Sequence, residues 1–232
     1  MRLLIVEPDA EGHHMVLYAR LLLREAAKRG WTVTILTTES GRNHAAFNII
    51  SAEYGSALRS IIMPETSRAR TGSMALFMSQ LKLWKELKRA AAANHEFADF
   101  DLVFVGTLDF FEKALSVLGS PFGDRPFAGI LMNPKFHRAP MGLGPSSRAD
   151  RVYKWLFRRL LHIASLRRLL VIDEPFRQYC VEQGMARAEK LCVVSDVGEL
   201  SEVPPKESAR EKLGLAGDAF AILVYGSLTP RK

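Results

Sequence analysis

Short apolar runs alternate with longer amphipathic stretches along most of the chain, the pattern of a parallel sheet covered by helices on both faces. Residues 3–6, 32–37, 58–63, 102–105, 127–132, 169–172 and 191–194 are the predicted strands. Between them the spacing changes to that of helices. A first helix runs to Arg29 with Val16, Leu17, Leu21, Leu22 and Ala26 on its apolar side, and Gly30 ends it. A long helix spans 73–93, with Leu76, Phe77, Leu81, Trp84 and Leu87 predicted to be buried and Lys82, Lys85, Lys88 and Arg89 directed elsewhere. Shorter helices are predicted over 109–118, 151–165, 176–183 and 207–213. The longest irregular stretch is 134–150, rich in Pro, Gly and Ser, and a loop of that length inside a compact domain is usually functional or mobile.

The expected fold class is therefore α/β, a Rossmann-like doubly wound parallel sheet over 1–197. A polar, proline-bearing linker follows at 198–206, and 207–232 reads as the first helix and strand of a second Rossmann-like domain. The last apolar run, Ala221 to Tyr225, is followed by Gly226 and ends with Arg231 and Lys232, and such a run needs neighbours on both faces.

The 232 residues suffice for a real core, and 48% apolar with 25% charged is ordinary for a globular protein. A formal net charge of +7 favours an anionic partner such as a phosphate ligand, an acidic membrane surface or a nucleic acid, or else is a solvated basic surface. Nucleic acid is set aside because no recognition helix or aromatic-basic stacking motif is present. Cys180 and Cys192 make neither a disulfide framework nor a metal-ligand pattern, so a reducing, cytoplasmic setting is expected. No apolar run approaches the ~20 residues of a transmembrane helix. The run at 3–6 is too short for a signal peptide and ends at Glu7-Pro8-Asp9.

Candidate chemistry begins at the first βα turn, where a helix N-terminus offers free backbone N–H groups to a phosphate and Gly12 permits close approach. The dinucleotide fingerprint G-x-G-x-x-G is absent, as are a nucleophile elbow, a zinc signature and a P-loop lysine. His13 and His14 are adjacent and point apart, so they form no metal pair; one faces the cleft as a proton carrier, or both pad the helix start. Glu7-Pro8-Asp9 has the look of a receiver-domain acidic pair, but strand 102–105 ends in Gly106-Thr107 with Asp101 at its other end. Asn133 and Lys135 lie just past a strand end, where an acceptor or phosphate binds, and His137 sits in the long loop.

The run from Arg151 to Arg168 holds six Lys or Arg and no acid, with Val152, Trp155, Leu156, Leu160 and Ile163 on one face. Such a helix either lies on an anionic membrane or packs its apolar face into its own domain and leaves the cations in water. Packed, it still attracts an anionic bilayer over a Debye length of ~8–10 Å.

Two segments carry a family resemblance. At the start, a strand, an acidic loop with Gly12, a helix and then Arg29-Gly30-Trp31-Thr32-Val33-Thr34-Ile35-Leu36 resemble the opening of retaining glycosyltransferases of the GT-B fold, family 4 (group 1). Trp31 stands where a histidine is common. At the end, Arg210-Glu211-Lys212-Leu213-Gly214-Leu215, followed by the segment from Leu223 to Lys232, is similar to the beginning of that fold's second domain.

The resemblance implies a nucleotide-diphosphate sugar donor held mainly by the second domain and a glycan or lipid-linked acceptor held by the first. It places Lys232 on the donor diphosphate, with Arg231 near enough to replace the usual arginine, which is Ser227 here. Gly12 would meet the donor phosphate from the other side of the cleft. Met132-Asn133 occupy the place of a frequent histidine, which leaves His13, His14 and Asn133 as candidates for a first-domain catalytic group. Lys135 and His137 fall on the acceptor side. The paired glutamates of the family would lie beyond Lys232, so residues 1–232 alone are expected to be inactive. No metal and no cofactor are implied: fixed cations and backbone N–H groups would meet the departing diphosphate. The expected activity is hexosyl transfer with retention in polysaccharide biosynthesis, in the cytoplasm and peripheral to the inner membrane face. A non-catalytic Rossmann-like scaffold and a GT-B-like nucleotide-sugar epimerase are the alternatives.

Overall fold

The computed structural model describes residues 1–8, 14–66, 73–134, 136–142, 145, 147–195, 205–216 and 218–220. Seven strands form one parallel sheet: β1 (Arg2–Val6), β2 (Thr32–Thr38), β3 (Leu58–Met63), β4 (Leu102–Val105), β5 (Phe127–Leu131), β6 (Leu166–Val171) and β7 (Leu191–Val193). Their spatial order is β3-β2-β1-β4-β5-β6-β7. The winding reverses between β1 and β4, which pair in parallel from Leu3 opposite Leu102 to Val6 opposite Val105. Each of the seven strands predicted within 1–197 is present; the central ones are apolar runs buried on both faces, whereas β3 at the sheet edge carries Arg59 and Ser60 and is only partly covered. Leu4, Ile5, Ile35, Leu36, Val103, Val105 and Phe127 are buried in the central strands.

Two apolar layers flank the sheet. One contains Leu23 and Ala26 of α1 (Arg20–Lys28) with Phe47 and Ile50 of α3 (Ala45–Tyr54) against Leu3, Ile5 and Ile35. The other joins α4 (Ser73–Ala93), α5 (Glu112–Leu118), α6 (Arg148–Leu161) and α7 (Glu174–Glu182) through Leu83, Trp84, Leu115, Phe157, Leu160 and Phe176. Helices on opposite faces for the two directions of winding are what right-handed crossovers require.

The structure differs from the sequence reading in four places. The stretch between β2 and β3, left unassigned by its pattern, holds α2 (Glu39–Arg42) and α3. Thr38 caps the first of these by accepting from the Gly41 N–H at 3.1 Å, and His44 caps the second through the Ala46 N–H at 3.2 Å. A π-helical turn, His14–Ala19, precedes α1, and in α1 itself Leu23 and Ala26 are buried while Leu21 and Leu22 are half-buried.

The third difference is α6, which starts earlier than the spacing indicated. Ser147 and Asp150 close a capping box, with Ser147 N–H donating to Asp150 Oδ2 at 2.8 Å and Asp150 N–H to Ser147 Oγ at 3.1 Å. It ends at Leu161, and Arg167 and Arg168 belong to β6. The expected apolar face is corrected: Leu156, Phe157, Leu160 and Leu161 are buried, whereas Val152 and Trp155 are 54% and 52% exposed. Phe157 turns the helix inward, since its ring packs 5.4 Å from Phe136 and 5.1 Å from Phe176. The fourth difference is that α4 buries the polar Gln80 and Glu86 beside Leu83, Trp84 and Leu87, while Leu76, Phe77 and Leu81, expected to be buried, are half-buried.

The chain divides into two compact units, Met1–Val197 and Gly198–Lys232. In the second, α8 (Lys206–Lys212) is closed by Gly214 at φ +66°, and the Arg210 guanidinium donates to the carbonyls of Ala216 and Ala219. The final apolar run lies outside the described residues. No helix among the described residues is long and apolar enough to cross a membrane.

Candidate functional site at the carboxyl edge of the sheet

In a doubly wound sheet the crevice for ligands opens beyond the carboxyl ends of the strands, at the reversal of winding. Here that point is the gap between the ends of β1 and β4. Glu7, the residue after β1, is only 1% exposed, and its N–H donates to the Leu36 carbonyl at 3.0 Å. Gly106, just past β4, donates its N–H to Val6 at 3.1 Å, and a Cβ on it would lie 2.2 Å from Glu7 Oε2. Glycine at the end of β4 is therefore what admits a carboxyl group to the crevice floor. Beside it, Thr38 Oγ1 lies 3.3 Å from the Pro8 carbonyl, and the N–H and hydroxyl of Ser40 donate to Glu65 at 2.7 and 3.0 Å.

A second group of polar side chains is built at the end of β5. Asp109 accepts the N–H groups of Met132 and Asn133, both at 2.8 Å, and so fixes the direction in which the chain leaves the strand. Gln80 of α4 links this to α5. Its Oε1 accepts the Lys113 N–H at 2.9 Å, and its Nε2 lies 3.2 Å from the Asp109 carbonyl and 3.4 Å from Glu112 Oε2. Burial, and next the charge on Asp109, push the Glu112 carboxyl up to about 8, with Lys113 opposing the rise. Lys113 Nζ is 3.8 Å from Glu112 Oε1 and 4.7 Å from the Tyr153 ring centroid. These side chains border a pocket of about 270 Å³ between α4, α5, α6 and the end of β5. Asn133, Pro134, Phe136, Leu131 and Leu156 complete much of its wall.

His137 is placed differently from its expected loop position. It is 1% exposed, with Nε2 3.1 Å from Asp173 Oδ2 and its ring 5.1 Å from that of Phe176. Asp173 also caps α7 by accepting the Phe176 N–H at 3.0 Å. Burial holds the imidazole pKa below its ordinary value against the opposing pull of Asp173. Nδ1 is buried without a hydrogen-bond partner among the described residues. His137 thus serves as a packed link between the β5–α6 loop and the start of α7, whereas Asn133 borders the pocket.

Of the other candidates, His14 begins the π-helical turn and only its backbone is described. Gly12, His13, Lys135, Arg231 and Lys232 lie outside the described residues. No cluster of His, Cys, Asp and Glu able to hold a metal ion occurs among the described residues. Sequence reasoning passed over Glu112, Gln80, Asp109 and Asp173. For Asp109 the signal was available, an acid directly after a strand-ending Gly106-Thr107-Leu108; Gln80 and Glu112 carry none, since each is a single polar residue in an ordinary helical pattern.

The sequence matches no protein-family model and no curated protein. Its fold does have solved relatives. UGT2 of Phytolacca americana, complexed with UDP-2fluoro-glucose and pterostilbene, superposes with a TM-score of 0.55 at 10% identity, covering 87% of this chain and 56% of that one. The fold is Rossmann-like, of the GT-B kind. Sucrose-phosphate synthase of Thermosynechococcus elongatus is similar with a TM-score of 0.55, 15% identity and coverage of 94% and 53%. A UDP-glucose: anthocyanidin 3-O-glucosyltransferase in complex with UDP is similar with a TM-score of 0.53, 11% identity and coverage of 91% and 57%. The chain spans a little over half the length of these structures. At such identities the likeness is one of fold, and the expected doubly wound architecture is the one observed.

Proposed function

We propose that this chain is the acceptor-side part of a GT-B glycosyltransferase that transfers a hexose from a nucleotide-diphosphate sugar to a glycan or lipid-linked acceptor. The observation that carries the reading is the doubly wound sheet whose carboxyl edge bears both a buried carboxyl at the winding reversal and an open pocket. Solved proteins of the same fold hold UDP or UDP-2fluoro-glucose, which supports a sugar-nucleotide donor. On this reading Gly12, Arg231 and Lys232 approach the donor diphosphate, transfer proceeds with retention, and cations with backbone N–H groups stabilise the leaving group without a metal. His13, His14 and Asn133 remain the first-domain candidates beside the reacting atoms, with Lys135 on the acceptor side.

The second part of the proposal is a peripheral contact with an anionic membrane at the cytoplasmic face. Arg148, Arg151, Val152, Trp155, Arg158 and Arg159 are exposed along one side of α6. Trp155 and Val152 supply apolar area at the interface and the arginines supply charge attraction.

The test is sugar transfer by the full-length protein from a panel of UDP-hexoses, paired with calorimetric titration of UDP-glucose into residues 1–232. Transfer is expected in the first and no micromolar binding in the second. Micromolar binding to residues 1–232 would overturn the assignment of this chain to the acceptor side. In the full-length protein, Lys232→Ala should lower kcat by about 100-fold, the usual effect of removing one group that stabilises developing negative charge; unchanged kcat would remove Lys232 from the site.

A further inference from the structure

The pocket between α4, α5 and α6 has one polar end and an aromatic, aliphatic body. Leu131, Phe136 and Phe157 are buried at its back, and Tyr153 stands on α6. At the polar end the orientation of Gln80 is fixed by its partners. Its Oε1 is taken by the Lys113 N–H, so its Nε2 is the group that faces Glu112 Oε2. Glu112 Oε1 lies 3.8 Å from Lys113 Nζ, beyond hydrogen-bond reach, and the other bond to the carboxyl comes from the backbone N–H of Glu112 itself, so no side chain accepts from this carboxyl. The Glu112 side chain keeps 23% of its surface accessible and borders the pocket. A carboxyl held neutral by its surroundings offers an O–H donor from that oxygen. An apolar wall next to one polar group that can donate is the usual chemistry of a small-molecule site. The volume, about 270 Å³, lies just below the usual range of such sites and suits one ring system.

We propose that this pocket binds an apolar ring system bearing a hydroxyl group, with Glu112 as its polar anchor and Tyr153 as one wall. On the glycosyltransferase reading above the pocket is an acceptor subsite, and the acceptor then carries such a ring rather than being a bare glycan; the binding itself does not rest on that reading. In such a complex the ring lies against Phe136 and Tyr153, and its hydroxyl oxygen accepts from Glu112 Oε1. Asp109 cannot replace Glu112 as the donor, since its two oxygens serve as acceptors for the backbone N–H groups past β5.

The probe is 2-naphthol, titrated into the 232-residue protein at pH 6.5 and followed by its fluorescence and by protein chemical shifts. Saturable binding is expected, with the shifts centred on α5 and α6, and glucose at the same concentrations should not compete. Glu112→Gln keeps a donor, as an amide N–H, and should bind within threefold of wild type. Glu112→Leu removes the donor and should weaken binding at least tenfold. Should that variant not fold, Tyr153→Ala leaves Glu112 in place and should weaken binding at least fivefold. Absence of saturable binding, competition by glucose, or equal affinity in Glu112→Leu would each overturn the proposal. Naphthol binding without any sugar transfer by the full-length protein would leave the pocket standing and remove the glycosyltransferase reading; transfer without naphthol binding would do the reverse.

Discussion

At the scale of single residues the most informative side chain is Glu112. Its carboxyl is pushed up to about 8 in the folded protein from an ordinary value of 4.5, so the native state holds a proton that the unfolded chain releases. The sign follows from linkage: between about pH 5 and 8 the unfolded state binds fewer protons, and stability falls as the pH rises. The accumulated loss is on the order of 4 kcal/mol at most. Glu112→Gln should therefore be close to wild type near pH 5 and more stable at pH 8, as read from urea midpoints across that range. A constant difference between the two proteins would show that Glu112 is not held neutral. Gly129 gives a second prediction. A Cβ there would lie 2.7 Å from Leu108 Cδ1 and 2.9 Å from the Val105 carbonyl, and the backbone oxygen cannot yield cheaply. Gly129→Ala should cost about 1–3 kcal/mol by denaturant unfolding.

Among the elements, α6 joins the core to the surface. Its inner side is set by Leu156, Phe157, Leu160 and Leu161, and its C-terminal end by Lys190, whose Nζ donates to the carbonyls of Leu161 and Ile163, each at 2.8 Å. Lys190→Met should therefore cost about 2 kcal/mol, because it leaves carbonyls at a helix end without their charged donor. On the outer side, Trp155 stacks against the Arg159 guanidinium at 5.1 Å, and Val117 borders the hollow beside it. Vesicles containing anionic lipid should retain the protein at low salt and release it at high salt, and Trp155→Ala should weaken retention severalfold. Retention that ignores salt would instead indicate insertion of apolar side chains as the main force, and no retention at low salt would end the membrane proposal.

For the whole molecule, the unit Met1–Val197 contains the entire seven-stranded sheet and both apolar layers. We expect a protein ending at Val197 to unfold cooperatively with a Tm within a few degrees of the 232-residue chain, measured by calorimetry; a large drop would mean that Gly198–Lys232 is part of the same folding unit. The carboxyl edge of this sheet supplies two distinct environments. The floor at Glu7 and Gly106 lies at the reversal of winding, and the pocket at Glu112 lies one strand further along, past β5. A sheet that reverses direction leaves its strand ends uncovered at that point, so polar groups can reach a ligand there without losing the core behind them.

The strands, their parallel arrangement and the order of elements were legible in the sequence because buried strands must be continuous apolar runs, and that requirement is local. The helix between β2 and β3 was not legible, since Ala46, Phe47 and Ile50 make too short a stripe to declare a period. The buried side of α6 was decided by Phe136 and Phe176, which arrive from other parts of the chain to meet Phe157. His137 looked available in a polar loop, and packing against Phe176 with a bond to Asp173 made it part of the interior. Glu112 and Gln80 looked like ordinary surface residues of two helices far apart in sequence. Only the crossing of α4 and α5 brings them together and removes most of their water, and a carboxyl's affinity for its proton depends on that water.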